Sequence, residues 1–393
     1  MSVIDAQLYG AYSQPERDVC VRCFDDDDLQ DFIRAFETKG RCSFCHARNV
    51  LIASLSDMAD HLRGFMDENY SKAANDLPYE SREGGYQGGS IYSTWEVLIE
   101  EIGLPLRGDG EVELGEALAD AIGDDVWCDY DWTALDLDES LQYSWDRFCE
   151  TVKHHRRFFF QGVGRSKYSG VDDRSPMEIL IDIKRLIKGS GLIRTMPKGY
   201  RLYRARPREG RTRYTAAADL ASPPVEFALQ SNRMNPPGIP MFYGAESPKL
   251  AVAEVRDSKA SIGRFQTTRK VRILDLANLP SMPGFFSGAH RNHRLYLSFL
   301  HAFTREIVKP IPRDERTHIN YLPTQVFTEY LRDARFGGKK IDGIRYPSAT
   351  GKAGANVVLF ATQEDFLGVG EDDPHFTFRR RKPLLELTGV SHV

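Results

Sequence analysis

The chain lacks several features that would place it in well-known protein classes. No apolar run in its 393 residues approaches the roughly 18 needed to cross a bilayer. The N-terminus, Met-Ser-Val-Ile-Asp-Ala, also lacks the basic and apolar parts of a signal peptide. No Gly-x-Gly-x-x-Gly follows a strand pattern and no phosphate-binding P-loop occurs, so a Rossmann dehydrogenase and a P-loop kinase are disfavoured. We therefore expect a cytoplasmic protein without a membrane partner.

Cysteine is scarce, but four of the six cysteines form a regular pattern. Cys20 and Cys23 are followed by Cys42 and Cys45, a C-x2-C-x18-C-x2-C arrangement. Two such pairs can bring four thiolates to one tetrahedral ion, which in a cytosolic chain favours structural zinc over disulfides. Free thiols or a redox pair are the alternatives, and His46 is a poorer fourth ligand than Cys45. Because four sulfur ligands leave no position for substrate, we expect this zinc to stabilise the N-terminal module.

The charge of the chain is distributed unevenly. The formal net charge is only -4, but residues 1–190 carry 20 Lys and Arg against 37 Asp and Glu, a net of -17. Residues 191–393 carry 32 against 19, a net of +13. Such a division indicates either an anionic ligand on the basic part or attraction between the two parts, and net charge does not choose between them. No motif supports a nucleic acid partner, so we do not expect one.

Hydrophobic periodicity divides the chain into four predicted parts. We expect a zinc module at residues 1–55, a helical domain at 56–190, an α+β domain at 191–367 and a charged, loosely packed tail at 368–393. The helical domain contains helical patterns at residues 94–102, 111–122 and 139–155. A last helix opens with the capping box of Ser175 and Glu178 and ends at Gly189.

Arg147 and His154 lie in the third helical pattern with six residues between them. This spacing resembles the Arg-x(4-6)-His pair of HEPN ribonucleases. Two helical turns would place both side chains on one face, where a histidine can act as general acid or base. The basic run Lys153-His154-His155-Arg156-Arg157 also suits a helix C-terminus through the helix dipole. A structural role and ribonuclease chemistry therefore both stay open for this pair.

Beyond residue 190, short strand patterns alternate with turns. The strand patterns lie at residues 200–206, 239–245, 264–268, 271–276, 341–346 and 356–361. Helical patterns lie between them, one capped by Ser247 with Pro248 at its first position, one at about residues 294–307 and one from Thr324 to about residue 334. This mixture predicts an α+β domain.

Three segments of this domain together resemble the RES family, which is named for an Arg, a Glu and a Ser. The first segment is Leu202-Tyr203-Arg204-Ala205-Arg206. The second joins Met241-Phe242-Tyr243-Gly244-Ala245 to Ala253-Glu254-Val255, and the third joins Gly343-Ile344-Arg345-Tyr346-Pro347-Ser348 to Gly354-Ala355-Asn356-Val357-Val358-Leu359-Phe360. Their order and contexts agree with the family over roughly residues 195–365. The resemblance implies an ADP-ribosyltransferase-like mixed β fold that binds NAD and breaks its nicotinamide–ribose bond.

The resemblance implies a site of four residues, Arg204, Tyr243, Glu254 and Ser348. The bond breaks through an oxocarbenium-like transition state, so the Glu254 carboxylate would hold ribose hydroxyls and stabilise the developing positive charge. Tyr243 would stack on the nicotinamide ring. Arg204 would offer a bidentate fork to the pyrophosphate or the ribose. Taken singly, each of these side chains also fits a structural role, and only their combination favours a site.

The Ser348 hydroxyl, together with Asn356, would supply neutral hydrogen bonds to the ligand. Arg233, in the proline-rich loop before Tyr243, is a candidate for a phosphate contact. Position 349 is Ala, whereas the family often has a second serine beside the first, so one substrate contact is in doubt.

The resemblance leaves the acceptor of the ADP-ribose unit open. Water would make the protein a glycohydrolase, phosphate a phosphorylase, and a protein side chain an ADP-ribosyltransferase. As in toxins paired with Xre-type antitoxins, a cognate antitoxin or immunity protein is the implied partner. The acidic first half, which compact toxins of the family lack, is hypothesised to inhibit the basic half or to recognise a trigger. Two alternatives are a HEPN ribonuclease using Arg147 and His154 with the C-terminal part as sensor, and a non-enzymatic NAD-binding sensor.

Overall fold

The chain forms two compact units. A computed structural model describes residues 16–163, 170, 172–255, 257, 259–311, 314–348, 350, 353–367 and 382–393. Unit one comprises the residues up to Asp136 together with Met282–Leu295, and unit two comprises Leu137–Ser281 and the residues from Tyr296 onwards. Residues 137–189, which the sequence analysis gave to the helical domain, thus fall into unit two. The division into four domains stays a prediction.

Unit one is built from short strands and helices around one hydrophobic core. Its strands are β1 (Asp18–Cys20), β2 (Lys39–Arg41), β3 (Arg48–Ser54), β4 (Tyr70–Lys72), β5 (Tyr79–Glu80), β6 (Gly85–Tyr86), β7 (Ile91–Ser93) and β8 (Val126–Asp129). Its helices are α1 (Asp27–Arg34), α2 (Leu55–Asn69), α3 (Ala73–Asp76) and α4 (Glu111–Ile122), with a 3-10 turn at Val21–Cys23 and a π-helical turn at Glu96–Glu101. Phe24, Leu29, Met58, Leu118 and Trp127 are fully buried in its core.

Unit one contains two three-stranded antiparallel sheets. In the predicted zinc module β3 pairs with β1 and β2, whereas β8, which pairs with β4 and β7, lies in the range predicted to be mostly helical. These strands are three to seven residues long, and periodicity does not distinguish apolar runs of that length from pieces of buried helix. The predicted helix at 111–122 is confirmed by α4 with the same bounds.

Unit two contains a nine-stranded mixed sheet with helices against it, which confirms the predicted α+β class. Its helices are α5 (Leu137–Glu150), α6 (Pro176–Gly189), α7 (Ala217–Leu220), α8 (Pro248–Val255), α9 (Arg291–Val308, of which the part from Tyr296 belongs to this unit), α10 (Thr317–Asn320) and α11 (Leu322–Asp333). Its strands are β9 (Ile193–Met196), β10 (Arg201–Pro207), β11 (Phe242–Ala245), β12 (Ala260–Thr267), β13 (Val271–Asp275), β14 (Gly343–Pro347), β15 (Ala355–Leu359), β16 (Phe366–Leu367) and β17 (Leu385–His392). The strand order is β16-β17-β12-β10-β11-β15-β14-β13-β9.

The predicted elements of this unit are present with shifted ends. Each predicted strand overlaps a strand of the sheet, and α6 begins with the predicted capping box, in which the Ser175 and Glu178 side chains each bond the other's backbone N–H. The helix predicted at 139–155 is α5 followed by a π-helical turn at Thr151–His155. Among the described residues, no helix is both long and apolar enough to cross a membrane.

The sheet has two differently covered faces. The helix face carries Ile344 and Val358, which lie in one core with residues of α5, α6, α9 and α11 such as Trp145 and Phe303. The far face carries Phe242 and Val357, which lie in a second core with Leu202, Phe265 and Phe366. α8 lies on the helix face, where Leu250 and Ala251 contact Ala205, Ala245 and Ile262.

β10 and β11 are paired over a much shorter length than the strands next to them. These strands share one pair of opposed residues in the described structure, Tyr203 with Ala245. By contrast, β10 is paired with β12 from Arg201 to Pro207, and β11 is paired with β15 along its whole length. The strands on either side of this pair therefore separate, as expected where one sheet divides into two.

The prediction of a loosely packed tail is wrong for its last part. β17 is paired antiparallel with β12 from Ser261 to Thr267, and Leu385 is fully buried. The charge of this segment suggested a tail, but Leu385 and Leu387 alternate with the period of a strand. Residues 368–381 of the predicted tail lie outside the described residues.

Candidate active site

The structure brings Glu254, Ser348 and Asn356 together. α8 carries Glu254, Ser348 follows directly after β14, and Asn356 is the second residue of β15. The Ser348 hydroxyl and the Asn356 side-chain amide each donate a hydrogen bond of 2.7 Å to Glu254 Oε1. Residues about a hundred positions apart in the chain thus form one partly buried polar group.

The two carboxylate oxygens of Glu254 have different surroundings. Oε1 already accepts two hydrogen bonds, one for each of its lone pairs. Oε2 has no hydrogen-bond partner within the described residues and is not among the buried unpaired atoms. The oxygen that remains available to accept a hydrogen bond from a ligand hydroxyl is therefore Oε2.

Arg204 on β10 is half-buried, and part of its guanidinium has no access to water. Its Nη1 atom is buried and has no hydrogen-bond partner in the described part of the chain. Burial lowers the pKa of the guanidinium to about 10. Its Cζ atom lies 5.6 Å from the centre of the Phe242 ring. A cation without a counter-charge in such surroundings is costly, unless a ligand supplies an anion or acceptor.

No hydrogen bond joins Arg204 to Glu254 in the residues that the structure describes. The register explains this, because Tyr203, Ala245 and Asn356 are opposed across β10, β11 and β15 and share the helix face. Arg204 follows Tyr203, and successive side chains of a strand point to opposite faces. The Arg204 side chain therefore leaves β10 on the face opposite to that of Tyr203, and its charge lies near the Phe242 ring and the Tyr243 phenol.

Tyr243 has its hydroxyl engaged within the protein. The hydroxyl donates to Asn235 Oδ1 at 2.5 Å and accepts the backbone N–H of Met234 at 3.2 Å. Burial raises the pKa of this phenol well above its ordinary value. The ring packs partly against the core of the helix face. Only the remaining ring surface is thus available for the predicted stacking.

Arg233 serves the end of a helix. Its guanidinium donates to the carbonyl oxygens of Ile307 and, at 2.9 Å, of Lys309, at the C-terminal end of α9. A guanidinium in this position satisfies exposed carbonyl groups and suits the helix dipole. The guanidinium thus stabilises the end of α9. The predicted phosphate contact of Arg233 stays a prediction.

Two parts of the chain match known protein families. Residues 201–381 match the RES domain, and residues 35–166 match HEPN/RES N-terminal domain 1. The chain thus matches the RES family, with a HEPN/RES-like region before the RES domain. No curated protein and no solved structure is significantly similar to it. RES domains are associated in general with NAD-dependent toxins of toxin–antitoxin systems. The matched range of the RES domain contains Arg204, Tyr243, Glu254 and Ser348.

Two residues beside the Glu254 group were missed in the sequence analysis. Thr350 hydrogen-bonds to Ser348 Oγ through its hydroxyl at 2.8 Å and through its backbone N–H at 3.1 Å. Tyr346 is opposed to Asn356 and is mostly buried. Its burial is the main cause that raises the pKa of its phenol, and the negative charge of Glu254 raises this pKa further. The signal for Tyr346 was the strand register, whereas the turn that brings Thr350 back to Ser348 leaves no periodic pattern.

An ion-pair network holds the strands from which Ser348 and Asn356 come. Glu246 accepts hydrogen bonds from Arg345 Nε at 2.8 Å, from the Ala355 N–H at 3.1 Å and from the Tyr200 hydroxyl. Arg345 also donates to Asp275 at 2.8 Å. The network joins β11, β13, β14 and β15 in the RES domain. It fixes the start of the loop on which Ser348 lies.

Arg147 and His154, the predicted ribonuclease pair, contact other residues in the described structure. The Arg147 side chain donates to the buried carboxylate of Asp173 at 2.5 Å. The exposed ring of His154 lies 3.9 Å from Glu150 in the π-helical turn after α5. A π-helical turn has more residues than an α-helical one, so the predicted common face does not follow from the spacing. Arg147 has a structural partner.

The four predicted zinc ligands cluster in unit one. Cys20 Sγ lies 3.8 Å from Cys23 Sγ and 3.5 Å from Cys45 Sγ. Cys42 Sγ lies 3.6 Å from Cys23 Sγ, and all four sulfurs lie within 4.8 Å of one another. A tetrahedral ion with metal–sulfur bonds of about 2.3 Å separates its ligands by about 3.8 Å. The spacing therefore fits a zinc ion, as the donor set does.

Proposed function

We propose that the RES domain cleaves the nicotinamide–ribose bond of NAD. The observation that carries this proposal is the Glu254 carboxylate, which Ser348 and Asn356 hold by one oxygen while the other oxygen stays available. A fixed carboxylate with one free oxygen is suited to accept a ribose hydroxyl. The same negative charge stabilises the sugar when positive charge develops on it.

The reaction requires the bond between ribose C1′ and the pyridinium nitrogen to break. Its electron pair stays with that nitrogen, so nicotinamide leaves as a neutral molecule and the ribose becomes cationic until an acceptor adds. Glu254 would lie beside this ribose. Arg204, whose Nη1 atom has no protein partner, would bind the pyrophosphate, since a guanidinium offers two parallel donors to phosphate oxygens. Tyr243 would contact the nicotinamide ring through its free surface.

The position of Arg204 supports an elongated ligand. Arg204 and Glu254 form no hydrogen bond with each other in the described residues, so a ligand that uses both must carry two separate polar groups. A dinucleotide has its phosphates and its reactive ribose apart and would reach both. The acceptor stays open between water, phosphate and a protein side chain.

Incubation of the purified chain with NAD tests the activity. We expect free nicotinamide to appear, and the other product identifies the acceptor. ADP-ribose indicates water, ADP-ribose 1″-phosphate formed only in phosphate buffer indicates phosphate, and label from NAD retained on protein indicates a transferase. If NAD stays intact over hours at micromolar enzyme, the proposal fails, and stable binding without turnover would favour an NAD sensor.

A ribonuclease is the second candidate function, which the match to HEPN/RES N-terminal domain 1 favours. The bond between Arg147 and Asp173 counts against it, because a catalytic arginine must be free to contact the RNA phosphate. RNA cleavage that is lost in His154→Ala while nicotinamide release persists would assign this second activity to the pair. RNA left intact by the wild-type chain would exclude it.

We also propose that Cys20, Cys23, Cys42 and Cys45 hold one structural zinc ion in unit one. The backbone N–H of Phe44 donates to Cys42 Sγ at 3.4 Å, a bond of the kind that orients a metal ligand.

An antitoxin is the proposed protein partner, since RES and HEPN domains are typical of toxin–antitoxin systems. Arrest of bacterial growth by the chain, relieved by a neighbouring gene of its source, would test this partner.

A further inference from the structure

The hydroxyl of Ser348 has no capacity left for a ligand. It donates its one hydrogen to Glu254 Oε1 at 2.7 Å. Its oxygen also contacts the Thr350 hydroxyl at 2.8 Å and accepts the Thr350 backbone N–H at 3.1 Å. A hydroxyl has one hydrogen and two lone pairs. Because the hydrogen of Ser348 lies on the Glu254 carboxylate, the hydrogen between Ser348 and Thr350 must come from Thr350.

This arrangement gives the hydrogen bonds one direction. Thr350 donates to Ser348, and Ser348 donates to Glu254. A serine hydroxyl otherwise rotates and can present either its hydrogen or its lone pairs to a neighbour. With both lone pairs occupied by Thr350, the hydroxyl is restricted to the orientation that points its hydrogen at Glu254 Oε1. Thr350 therefore acts on the carboxylate through Ser348.

We propose that Thr350 is a positioning residue for NAD cleavage, which fixes Glu254 through Ser348 so that Oε2 faces the ribose. This inference rests on the proposed function. The residue directly after Ser348 is Ala349, which has no hydroxyl. Thr350, two positions after Ser348, supplies a second hydroxyl instead. Asn356 holds the same Oε1 atom from β15, so that the carboxylate is fixed from two strands. Ser348 thereby serves Glu254 and does not bind the substrate directly.

Two variants of Thr350 separate positioning from packing. Thr350→Val keeps the shape of the side chain and the backbone N–H but removes the hydroxyl, whereas Thr350→Ser keeps the hydroxyl. We expect Thr350→Val to lower the kcat for nicotinamide release about five- to tenfold, the effect of one hydrogen bond, with KM within about twofold of the wild type. Thr350→Ser should restore kcat. Equal losses in both variants, or a change in KM alone, would contradict positioning.

A crystal structure of Thr350→Val provides a readout without NAD. The expected result is a Ser348 hydroxyl that has left Glu254 Oε1 for another rotamer, while the Thr350→Ser structure keeps the 2.7 Å contact of the wild type. An unchanged Ser348–Glu254 contact in Thr350→Val would overturn the inference, whatever the activity. If the wild type releases no nicotinamide, the proposed function fails on its own, and the two crystal structures still decide the role of Thr350.

Discussion

At Arg204 the protein keeps a half-buried cation that has one buried nitrogen and no ion pair among the described residues. The Nη1 atom lacks a partner among the described residues, and burial lowers the guanidinium pKa to about 10. Such a group lowers stability, because part of the charge has left water without gaining an ion pair. Groups of this kind are retained where a ligand pairs with them, so we interpret Arg204 as preorganised for a phosphate.

Replacement of Arg204 should therefore separate stability from binding. In Arg204→Met we expect a Tm equal to or above that of the wild type, because an unpaired buried charge is removed while most of the side-chain volume stays. The KM for NAD should rise about ten- to a hundredfold, the loss of charge-assisted hydrogen bonds. Thermal unfolding and steady-state kinetics measure both. Arg204→Lys keeps the charge but loses the planar guanidinium. Its KM for NAD should lie between the values of the wild type and of Arg204→Met. An unchanged KM in Arg204→Met would show that Arg204 has a structural role.

The sequence could predict which residues form the Glu254 group better than how they are used. Glu254, Ser348 and Asn356 were named from their motif, and the structure brings them together. The motif predicts that Ser348 contacts the substrate. In the structure Thr350 occupies the lone pairs of the Ser348 hydroxyl, and the position of Thr350 is set by an irregular turn. Arg233 was chosen for its charge, and its contact with the end of α9 involves residues more than seventy positions away.

At the scale of elements, β17 shows how composition can hide structure. It lies between β16 and β12, so that the large sheet of unit two includes a strand beyond residue 381, where the match to the RES domain ends. The charged run before it suggested a tail, whereas Leu385 and Phe366 share one core with Phe242 and Phe265. Elements with strong local signals, such as the capping box of α6, were predicted; elements fixed by distant pairing were not.

Neighbouring substitutions in β17 test whether the strand contributes to stability. Leu385→Ala should lower the free energy of unfolding by about 2–5 kcal/mol, because it leaves a cavity in the core of the far face. Glu386→Ala, on the exposed side of the same strand, should change it by no more than about 0.5 kcal/mol. Denaturant unfolding of both variants measures the difference. Similar values for the two would mean that β17 is not firmly held in solution.

At the scale of the whole molecule, the two units have separate means of stabilisation. Unit one surrounds its four cysteines with a core of its own, and unit two is held by the large sheet and its helices. The helical pattern at 139–155 gave no sign that α5 belongs with the sheet, because an apolar stripe shows that a helix is buried but not against what. Domain boundaries are therefore less predictable here than the elements themselves.

Metal analysis tests the zinc proposal for unit one. We expect about one zinc ion per purified chain and a lower Tm after treatment with a strong chelator, since metal binding to a folded site contributes folding free energy. Cys23→Ser should lose the metal. Cys128→Ser, at a cysteine that is equally buried but lies outside the cluster, should retain it. Full zinc content in Cys23→Ser, or none in the wild type, would contradict the proposal.

The rate of nicotinamide release by Glu254→Gln tests the proposed activity most directly. Glutamine keeps the size of the side chain and removes the charge, so the transition state loses its stabilisation while the fold is preserved. We predict a fall in kcat of about a thousandfold, the upper end of the effect of removing one electrostatic group from an active site. Glu209→Gln, an exposed position on the same unit, should retain the wild-type rate. A Glu254→Gln variant that releases nicotinamide within tenfold of the wild-type rate would show that Glu254 is not the residue on which the reaction depends.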